Sequence, residues 1–301
     1  MYIWATLKLT FLKRYVRMIL IADGGSTKVD WIALNSDKTE KFKTRSEGLN
    51  PAIVGKDLLK KRVLDNVNLG PQRTEVTHVF FYGAGCGTPK AIEALRQVFQ
   101  EVFVNAEIVV AEDMLAAVYA ASEAEPAIVC ILGTGSNSCY FDGKEVQSTT
   151  ASLGWAIMDE ASGNYFGKQL IRDYYYKIMP EEIRAKFEQD FNLEDDYIKH
   201  ELYQGDAPNT YLASHAAFMF DFKDHDYITG LIERGVDEFF RYRVLPFGKG
   251  KETPIYFIGS VAFYFSNIIE KVANKYDLRF AGAIKRPIDN MIAYHKKYLI
   301  K

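Results

Sequence analysis

The chain has 301 residues, a length that accommodates two domains of ordinary size, each with its own hydrophobic core. Hydrophobic residues make up 48% and charged residues 25%, which is the balance of a soluble globular protein. The net charge of −2 offers no electrostatic attraction to nucleic acid or to an anionic membrane, so neither is an expected partner.

The cysteines and the first residues indicate the compartment. Cys86, Cys130 and Cys139 are an odd count without CxxC spacing, which fits neither a disulfide framework nor a zinc site. In residues 1–17, basic side chains interrupt the apolar run and no cleavage site of small residues follows. The segment is also too short to span a bilayer. We therefore expect a cytoplasmic protein in which residues 1–17 are an N-terminal extension.

The first predicted element is a β-hairpin. Residues 18–22 (MILIA) and 29–34 (VDWIAL) are apolar strand signals on either side of the polar glycine turn 23–28 (DGGSTK). A P-loop would have the spacing GxxxxGK[ST] and continue into a helix, whereas here a second strand follows.

A second hairpin repeats this arrangement about 110 residues later. Residues 127–132 (AIVCIL) lead into the turn 133–137 (GTGSN) and then into 138–142 (SCYFD). Two copies of the same unit predict a duplicated domain.

Other strands also end in small or acidic residues. The strand at 79–82 runs into GAGCG at 83–87, the strand at 108–111 precedes a helix that begins near Asp113, and the strand at 255–258 runs into Gly259. Because strands and helices alternate, the sequence predicts an α/β fold. We predict an N-terminal domain of residues 18–117 with 287–301, and a C-terminal domain of 118–286 whose segment 164–243 is a helical insertion.

Both glycine turns are suited to bind phosphate. Backbone N–H groups of a tight turn can surround an anion when small side chains leave room, although glycine and serine are also routine in ordinary hairpins. Asp23, at the end of the first strand, is well placed to hold a hydrated Mg²⁺ against the phosphates. The residues expected to bind the nucleotide here are Asp23, Gly24, Gly25, Ser26, Thr27, Lys28, Gly133, Thr134, Gly135 and Ser136.

These motifs resemble those of the sugar kinase, Hsp70 and actin ATPase superfamily. DGGSTK is similar to its first phosphate motif, LGTGSNS (132–138) to its second, and IGSVA (258–262) to its adenosine motif. The resemblance implies two ribonuclease H-like (actin-like ATPase) domains, a nucleotide cleft between them, ATP and Mg²⁺ as cofactors, and adenosine binding by Gly259, Ser260 and Ala262.

Within the superfamily, the chain most resembles the N-acetylglucosamine kinase group, which shares a family with the BadF/BadG-type ATPases. GTGSN followed by LGWAIMDEASG (153–163) carries this resemblance. The group usually has GDEGS where this chain has MDEAS (158–162), and we expect Met158 and Ala161, in place of glycines, to narrow the space for a ligand.

The resemblance also assigns roles in phosphoryl transfer. It makes Asp113 the general base, since the attacking hydroxyl needs a carboxylate within hydrogen-bond reach. The neighbouring Glu112 is expected to face elsewhere. The resemblance further assigns sugar binding to Asn50, Asn137, Gly154 and Asp159. The alternatives are a plain helix N-cap for Asp113, turn chemistry before Pro51 for Asn50, and a solvated acidic turn for Asp159 with Glu160.

The expected function is ATP-dependent phosphorylation of an amino sugar or N-acetylated amino sugar, with a small-molecule sugar as the partner and a homodimer left open. One alternative is an ATPase that drives a conformational change in a partner protein. The activators of this kind hold an iron–sulfur cluster with paired cysteines, which the three cysteines here do not resemble. A second alternative function is that of a non-catalytic sugar or nucleotide sensor. ROK-type sugar kinases are less expected because their zinc-binding cysteine cluster is absent from the sequence.

Overall fold

The computed structural model describes residues 18–25, 27–123 and 125–300, which form two compact units. Unit 1 contains the described residues up to Ala116 together with those from Ile288 onward, and unit 2 is Ala117–Pro287. The predicted phosphate ligand Ser26 and the extension 1–17 lie outside the described residues.

The strands in chain order are β1 (Met18–Gly24), β2 (Lys28–Leu34), β3 (Glu40–Glu47), β4 (Val76–Gly83), β5 (Glu107–Glu112), β6 (Ala127–Leu132), β7 (Ser136–Phe141), β8 (Val146–Gln147), β9 (Pro254–Ile258) and β10 (Arg279–Ile284). The α-helices are α1 (Lys56–Leu64), α2 (Leu69–Gln72), α3 (Pro89–Val102), α4 (Asp113–Ala121), α5 (Gly163–Tyr175), α6 (Glu181–Asp190), α7 (Asp195–Tyr203), α8 (Pro208–Ala216), α9 (Asp226–Phe239), α10 (Ser260–Tyr264), α11 (Ser266–Lys275) and α12 (Ile288–Tyr294). Short 3₁₀ segments cover Arg73–Glu75, Ala217–Phe222 and Leu245–Phe247, and π-helical turns cover Phe240–Val244 and His295–Leu299.

The two units have the same sheet topology. In unit 1 the strand order is β3-β2-β1-β4-β5, and in unit 2 it is β10-β9-β6-β7-β8, which is the same order read from the other edge. In each sheet the first three strands form antiparallel hairpins, and the last two run parallel to the first. The duplication and the α/β fold predicted from the sequence are therefore confirmed.

The sequences of the unit 1 strands explain their positions in the sheet. β1 (MILIADG) is an apolar run that lies at the centre and is buried along most of its length, as expected for a strand covered on both faces. β3 (EKFKTRSE) is charged and mostly exposed, which suits an edge strand because charge discourages pairing with other chains. Between them, Trp31 on β2 is fully buried against Phe81 and Phe99.

Unit 2 carries the helical segment α5 to α9. Its core combines strand residues with aromatic side chains from these helices, such as Phe166, Phe187 and Phe239, so the aromatic-rich stretches are packing elements. Ser162 begins α5 as an N-cap, with its Oγ accepting a hydrogen bond from the Tyr165 N–H at 3.2 Å. Across the described part of the chain, no helix has both the length and the apolar character needed to cross a membrane.

Candidate functional site

Two predicted site segments and the GAGCG turn lie together at the carboxyl ends of the parallel strands of the unit 1 sheet. The register pairs Gly24 at the end of β1 with Gly83 at the end of β4, and Gly83 with Glu112 at the end of β5. These strands are parallel, so the DGGSTK turn, the GAGCG turn and Asp113 all follow the carboxyl ends of neighbouring strands. With about 4.8 Å between adjacent strands, the first turn and the start of α4 lie about 10 Å apart.

The backbone of the first turn is arranged so that its carbonyl groups are engaged. The Gly24 oxygen accepts a hydrogen bond from the Ala84 N–H at 2.8 Å, and the Thr27 oxygen accepts one from the Gly48 N–H at 2.9 Å. The Lys28 oxygen accepts the Gly25 N–H at 2.8 Å. Because these partial negative charges are already compensated, they oppose an incoming anion less, although the Gly25 N–H is itself used inside the turn.

Asp113 is the first residue of α4 and is half-buried. Burial, and secondarily the charges of Asp113 and Glu112, raise the pKa of the Cys86 thiol in the GAGCG turn to about 12. Cys86 is therefore a protonated packing residue. The expectation that Glu112 faces elsewhere is wrong, since a Cβ added at Gly87 would lie 3.8 Å from its Oε2. Both carboxylates thus lie beside the GAGCG turn, and burial raises the pKa of Glu112.

The predicted metal ligand Asp23 is also half-buried. In the register of β1 and β2, its backbone lies opposite that of Asp30. The Asp30 carboxylate forms an ion pair with Arg45 at 2.8 Å. Among the described residues, no group of three metal-ligating side chains occurs. A single carboxylate beside a phosphate turn nevertheless fits Mg²⁺, which is typically held by one or two carboxylates together with phosphates and water.

The second turn in unit 2 shows the same arrangement of carbonyl groups. The start of α5 donates two backbone hydrogen bonds to it, from the Gly163 N–H to the Gly133 oxygen at 2.8 Å and from the Asn164 N–H to the Thr134 oxygen at 3.0 Å. The Gly135 oxygen accepts the Gly133 N–H at 3.0 Å. Residues Gly133, Thr134 and Gly135 remain partly exposed, so the turn is accessible from outside unit 2.

A buried hydroxyl in the second turn further supports ligand binding. In the part of the chain that is described, Ser136 Oγ is buried and has no hydrogen-bond partner. An unpartnered buried hydroxyl is costly and calls for an explanation. A phosphate oxygen bound at this turn would supply one.

The predicted adenosine motif lies next to the second turn. Gly259 has φ +118°, and a side chain there would collide with the Leu132 carbonyl just before the turn, so glycine is required. Ser260, at the start of α10, is exposed. Ala262 has no exposed surface and packs in the hydrophobic core of unit 2, so the structure leaves Gly259 and Ser260 as the accessible part of this motif.

The predicted sugar residues have different surroundings. Asn50 is buried, its Oδ1 accepts the Ala52 N–H at 2.9 Å, and its side chain lies against Gly85 of the GAGCG turn. This observation supports the turn-chemistry alternative for Asn50. Asn137 is partly exposed, and Gly154 (φ +79°) forms a turn whose carbonyl accepts the Met158 N–H at 2.9 Å.

Asp159 is only 6% exposed and does not lie in a solvated acidic turn. Its carboxylate accepts hydrogen bonds from Asn164 Nδ2 at 2.8 Å and from the Ser136 N–H. The structure therefore places Asp159 directly behind the second turn. Burial raises the pKa of this carboxyl, which the hydrogen bonds and the charge of Arg243 partly offset.

The expectation that Ala161 narrows the ligand space is wrong, because its methyl group is fully buried in the core of unit 2. Met158 is held by Arg243, whose guanidinium donates to the Met158 Sδ at 3.2 Å and pairs with Glu160 at 3.1 Å. Sequence reasoning missed Arg243 and Asn164. Helical spacing from Phe239 and Phe240 places Arg243 on an apolar helix face, a signal that could have identified it as a buried charge.

The overall structure is closely similar to a candidate N-acetylglucosamine kinase from Porphyromonas gingivalis, with a TM-score of 0.86 and 32% sequence identity over 93% of this chain and 99% of that protein. The chain belongs to the N-acetylglucosamine kinase-like family. This family of sugar phosphotransferases is part of the actin-like ATPase superfamily, in agreement with the resemblance of the sequence motifs.

Two more distant structures share the fold of this N-acetylglucosamine kinase-like protein. One is a candidate N-acetylglucosamine kinase from Chromobacterium violaceum, with a TM-score of 0.68 and 15% identity over 93% of this chain and 99% of that one. The other is a ROK family glucokinase from Streptomyces griseus in complex with glucose and AMPPNP, with a TM-score of 0.57 and 13% identity over 93% of this chain and 98% of that one. Neither a protein-family model nor a curated protein matches the chain.

Proposed function

We propose that this protein transfers the γ-phosphoryl group of ATP to a hydroxyl of an amino sugar or N-acetylated amino sugar. The observation that carries the proposal is the edge of the unit 1 sheet, where a phosphate-binding turn and a carboxylate at a helix start follow neighbouring parallel strands. Phosphoryl transfer to an alcohol needs these two elements, because catalysis consists mainly of positioning and charge stabilisation.

Asp113 is the residue we propose as the general base. Its position after β5, partly accessible and beside the GAGCG turn, suits a carboxylate that accepts the proton of the attacking hydroxyl. Glu112 is the competing candidate, since it lies beside the same turn. The raised pKa of Glu112 does not exclude it from accepting a proton, so the two carboxylates must be separated by experiment.

The two glycine turns are proposed to bind the ATP phosphates, with Gly259 and Ser260 beside the adenosine. Their engaged carbonyl groups and the unpartnered Ser136 hydroxyl support this assignment. Mg²⁺, held by Asp23, would neutralise charge on the phosphates. Asp23→Asn should therefore raise the Mg²⁺ concentration needed for half-maximal turnover.

The sugar class rests on the relation to the Porphyromonas gingivalis protein, which is 32% identical over nearly the whole chain. Asn137 and Gly154 are partly exposed beside the second turn and the MDEAS segment, and they are the proposed sugar contacts. Asn50 is not included, because its side chain is engaged in the turn before Ala52. The three cysteines are all buried, which argues against the alternative of a partner-activating ATPase with a shared iron–sulfur cluster.

The decisive experiment compares Asp113→Asn with the matched variant Glu112→Gln. Loss of the general base should lower turnover by roughly 10²- to 10⁴-fold in Asp113→Asn, while ATP affinity and melting temperature stay near those of the wild type. Asn caps a helix about as well as Asp, so a purely capping role predicts full activity. Full activity in Asp113→Asn, or the large loss in Glu112→Gln instead, would contradict the assignment.

The acceptor class requires a second experiment, in which ADP release is measured with amino sugars, N-acetylated sugars and plain hexoses. We expect the highest kcat/KM with an amino or N-acetylated sugar. A higher value with a plain hexose would contradict the amino-sugar proposal. ATP hydrolysis at the same rate with and without every sugar would contradict kinase activity itself.

A further inference from the structure

The surroundings of Asp159 point to a role beyond sugar contact. Its carboxylate is buried behind the second turn, where it accepts hydrogen bonds from Asn164 Nδ2 and from the backbone N–H of Ser136. The backbone of Asp159 has φ +69°, a left-handed conformation that Asp tolerates better than most residues. The side chain is thereby aimed into unit 2 and toward the turn.

The contact between Asp159 and the turn is close. A Cβ added at Gly135 would lie 2.8 Å from Asp159 Oδ2, so no side chain at position 135 fits while the carboxylate occupies this place. Gly135 is therefore needed for close approach of the turn to Asp159, in addition to any need to leave room for a phosphate.

Asn164 connects the Asp159 carboxylate to the start of α5, which also forms hydrogen bonds with the turn. Its side chain holds Asp159, and its backbone N–H donates to the Thr134 oxygen at 3.0 Å. Asn164 Oδ1 in turn accepts a hydrogen bond from the Ser162 hydroxyl at 3.0 Å, which fixes the orientation of the amide group. The turn is thus fixed on one side by the start of α5 and on the other by Asp159.

We propose that Asp159 is a positioning residue for the second phosphate turn, which it holds in the conformation that binds the nucleotide. This inference rests on the proposed function, since it assigns a task to the same turn. The family resemblance makes Asp159 a sugar ligand, and the positioning role is proposed in addition to that contact.

The test uses Asp159→Asn, because Asn keeps the shape and tolerates φ +69° but is uncharged and has one acceptor oxygen where the carboxylate has two. Losing a charge-assisted hydrogen bond predicts a roughly 10- to 100-fold higher Kd for AMPPNP, measured by calorimetry without sugar. Asn164→Ala should have a similar effect, and the double variant should lose little more because both residues act through one network. Asp142→Asn, at an exposed turn of the same unit, is the matched control and should bind as the wild type does.

Hydrogen exchange of residues 133–137 without ligand provides a second readout. We expect faster exchange in Asp159→Asn, because the Ser136 N–H loses a charged acceptor. We also expect it in Asn164→Ala, because the Asp159 carboxylate loses the hydrogen bond from Asn164 that orients it. A rise in the sugar KM alone, with unchanged AMPPNP affinity and exchange, would overturn the inference and leave Asp159 with a sugar contact only. If the wild type itself fails to bind AMPPNP, the proposed function fails. Unchanged hydrogen exchange in both variants would refute the positioning role, whatever the result for the proposed function.

Discussion

The guanidinium of Arg243 and the carboxylate of Glu160 form an ion pair inside unit 2, with 3.1 Å between Arg243 Nε and Glu160 Oε2. Their side chains are 2% and 14% exposed. Arg243 lies in the π-helical turn after α9, and its backbone oxygen accepts the Ser138 hydroxyl at 2.7 Å. This arginine therefore connects the helical segment to both the MDEAS segment and β7, the strand that follows the second turn.

We expect Arg243→Met to lower the free energy of unfolding by about 3–5 kcal/mol, because Glu160 would be left as a buried charge without its partner. The matched control is Arg241→Met, two residues before Arg243 in the chain. It removes a surface ion pair with Asp237 and should lower the free energy of unfolding by only about 0–1 kcal/mol. Urea denaturation measures both values. Similar losses in the two variants would show that the Arg243 pair is energetically equivalent to a surface pair.

Gly24 has a packing requirement as well as its proposed contact with phosphate. A Cβ at Gly24 would collide with the ring of Phe81, which is fully buried beneath the first turn. Gly24→Ala should therefore lower the free energy of unfolding by about 1–3 kcal/mol and also weaken ATP binding. Gly55→Ala is the control, since a Cβ there has no atom within 4 Å.

Combining Gly24→Ala with Phe81→Leu separates the two effects. The smaller side chain should recover part of the lost stability, measured by thermal or urea unfolding, without restoring full ATP affinity if the turn itself is displaced. Wild-type stability and wild-type ATP affinity in Gly24→Ala would contradict both roles.

Ala161 occupies a left-handed position (φ +58°) where related proteins have glycine in GDEGS, and it is fully buried. Ala161→Gly should relieve about 1–2 kcal/mol of backbone strain. It should also lose about 0.8 kcal/mol from the buried methyl and about 0.5–1 kcal/mol from backbone entropy. We therefore expect a net change within about 1 kcal/mol in urea denaturation. Ala161→Val should lower the free energy of unfolding by at least about 2 kcal/mol because it overpacks the core. The control Ala156→Val, at an exposed position, should leave this free energy nearly unchanged.

His295 makes stability depend on pH in unit 1. Its ring is fully buried, edge-on to Phe80 and 3.0 Å from the Tyr82 hydroxyl, and burial lowers its pKa to about 4. Below pH 6.5 the unfolded chain protonates this residue while the folded protein does not, so stability falls as the pH falls. Between pH 7.5 and 5 this contribution is about 2 kcal/mol.

Comparing wild type and His295→Gln by urea denaturation isolates this contribution. The variant should be less stable at pH 7.5, because it loses packing, and the gap should shrink by about 2 kcal/mol at pH 5. His200→Gln, at an exposed position, should leave the pH profile unchanged. A gap that is the same at both pH values would refute the assigned role of His295.

Much of the candidate site could be proposed from the sequence because its chemistry lies in local sequence. The two hairpins follow from apolar runs around glycine turns, and the position of Asp113 follows from a strand that ends one residue before a helix begins. Residues adjacent in the chain determine turns and helix starts through backbone conformation and capping, so patterns of a few residues are sufficient. The repetition of the hairpin indicated the duplicated sheet, which the matching strand orders confirm.

The supports of the second turn were decided only by the tertiary structure. Arg243 lies 83 residues from Glu160 in the chain, and Asp159 is more than 20 residues from the turn that it contacts. No local pattern specifies which buried side chain reaches which turn, because that depends on how α5 and the end of α9 pack against the sheet of unit 2. The sequence by itself determined the hairpins and the residue types at the proposed phosphate site. Long-range packing determined that Asp159 faces the protein backbone and that the methyl of Ala161 faces the core.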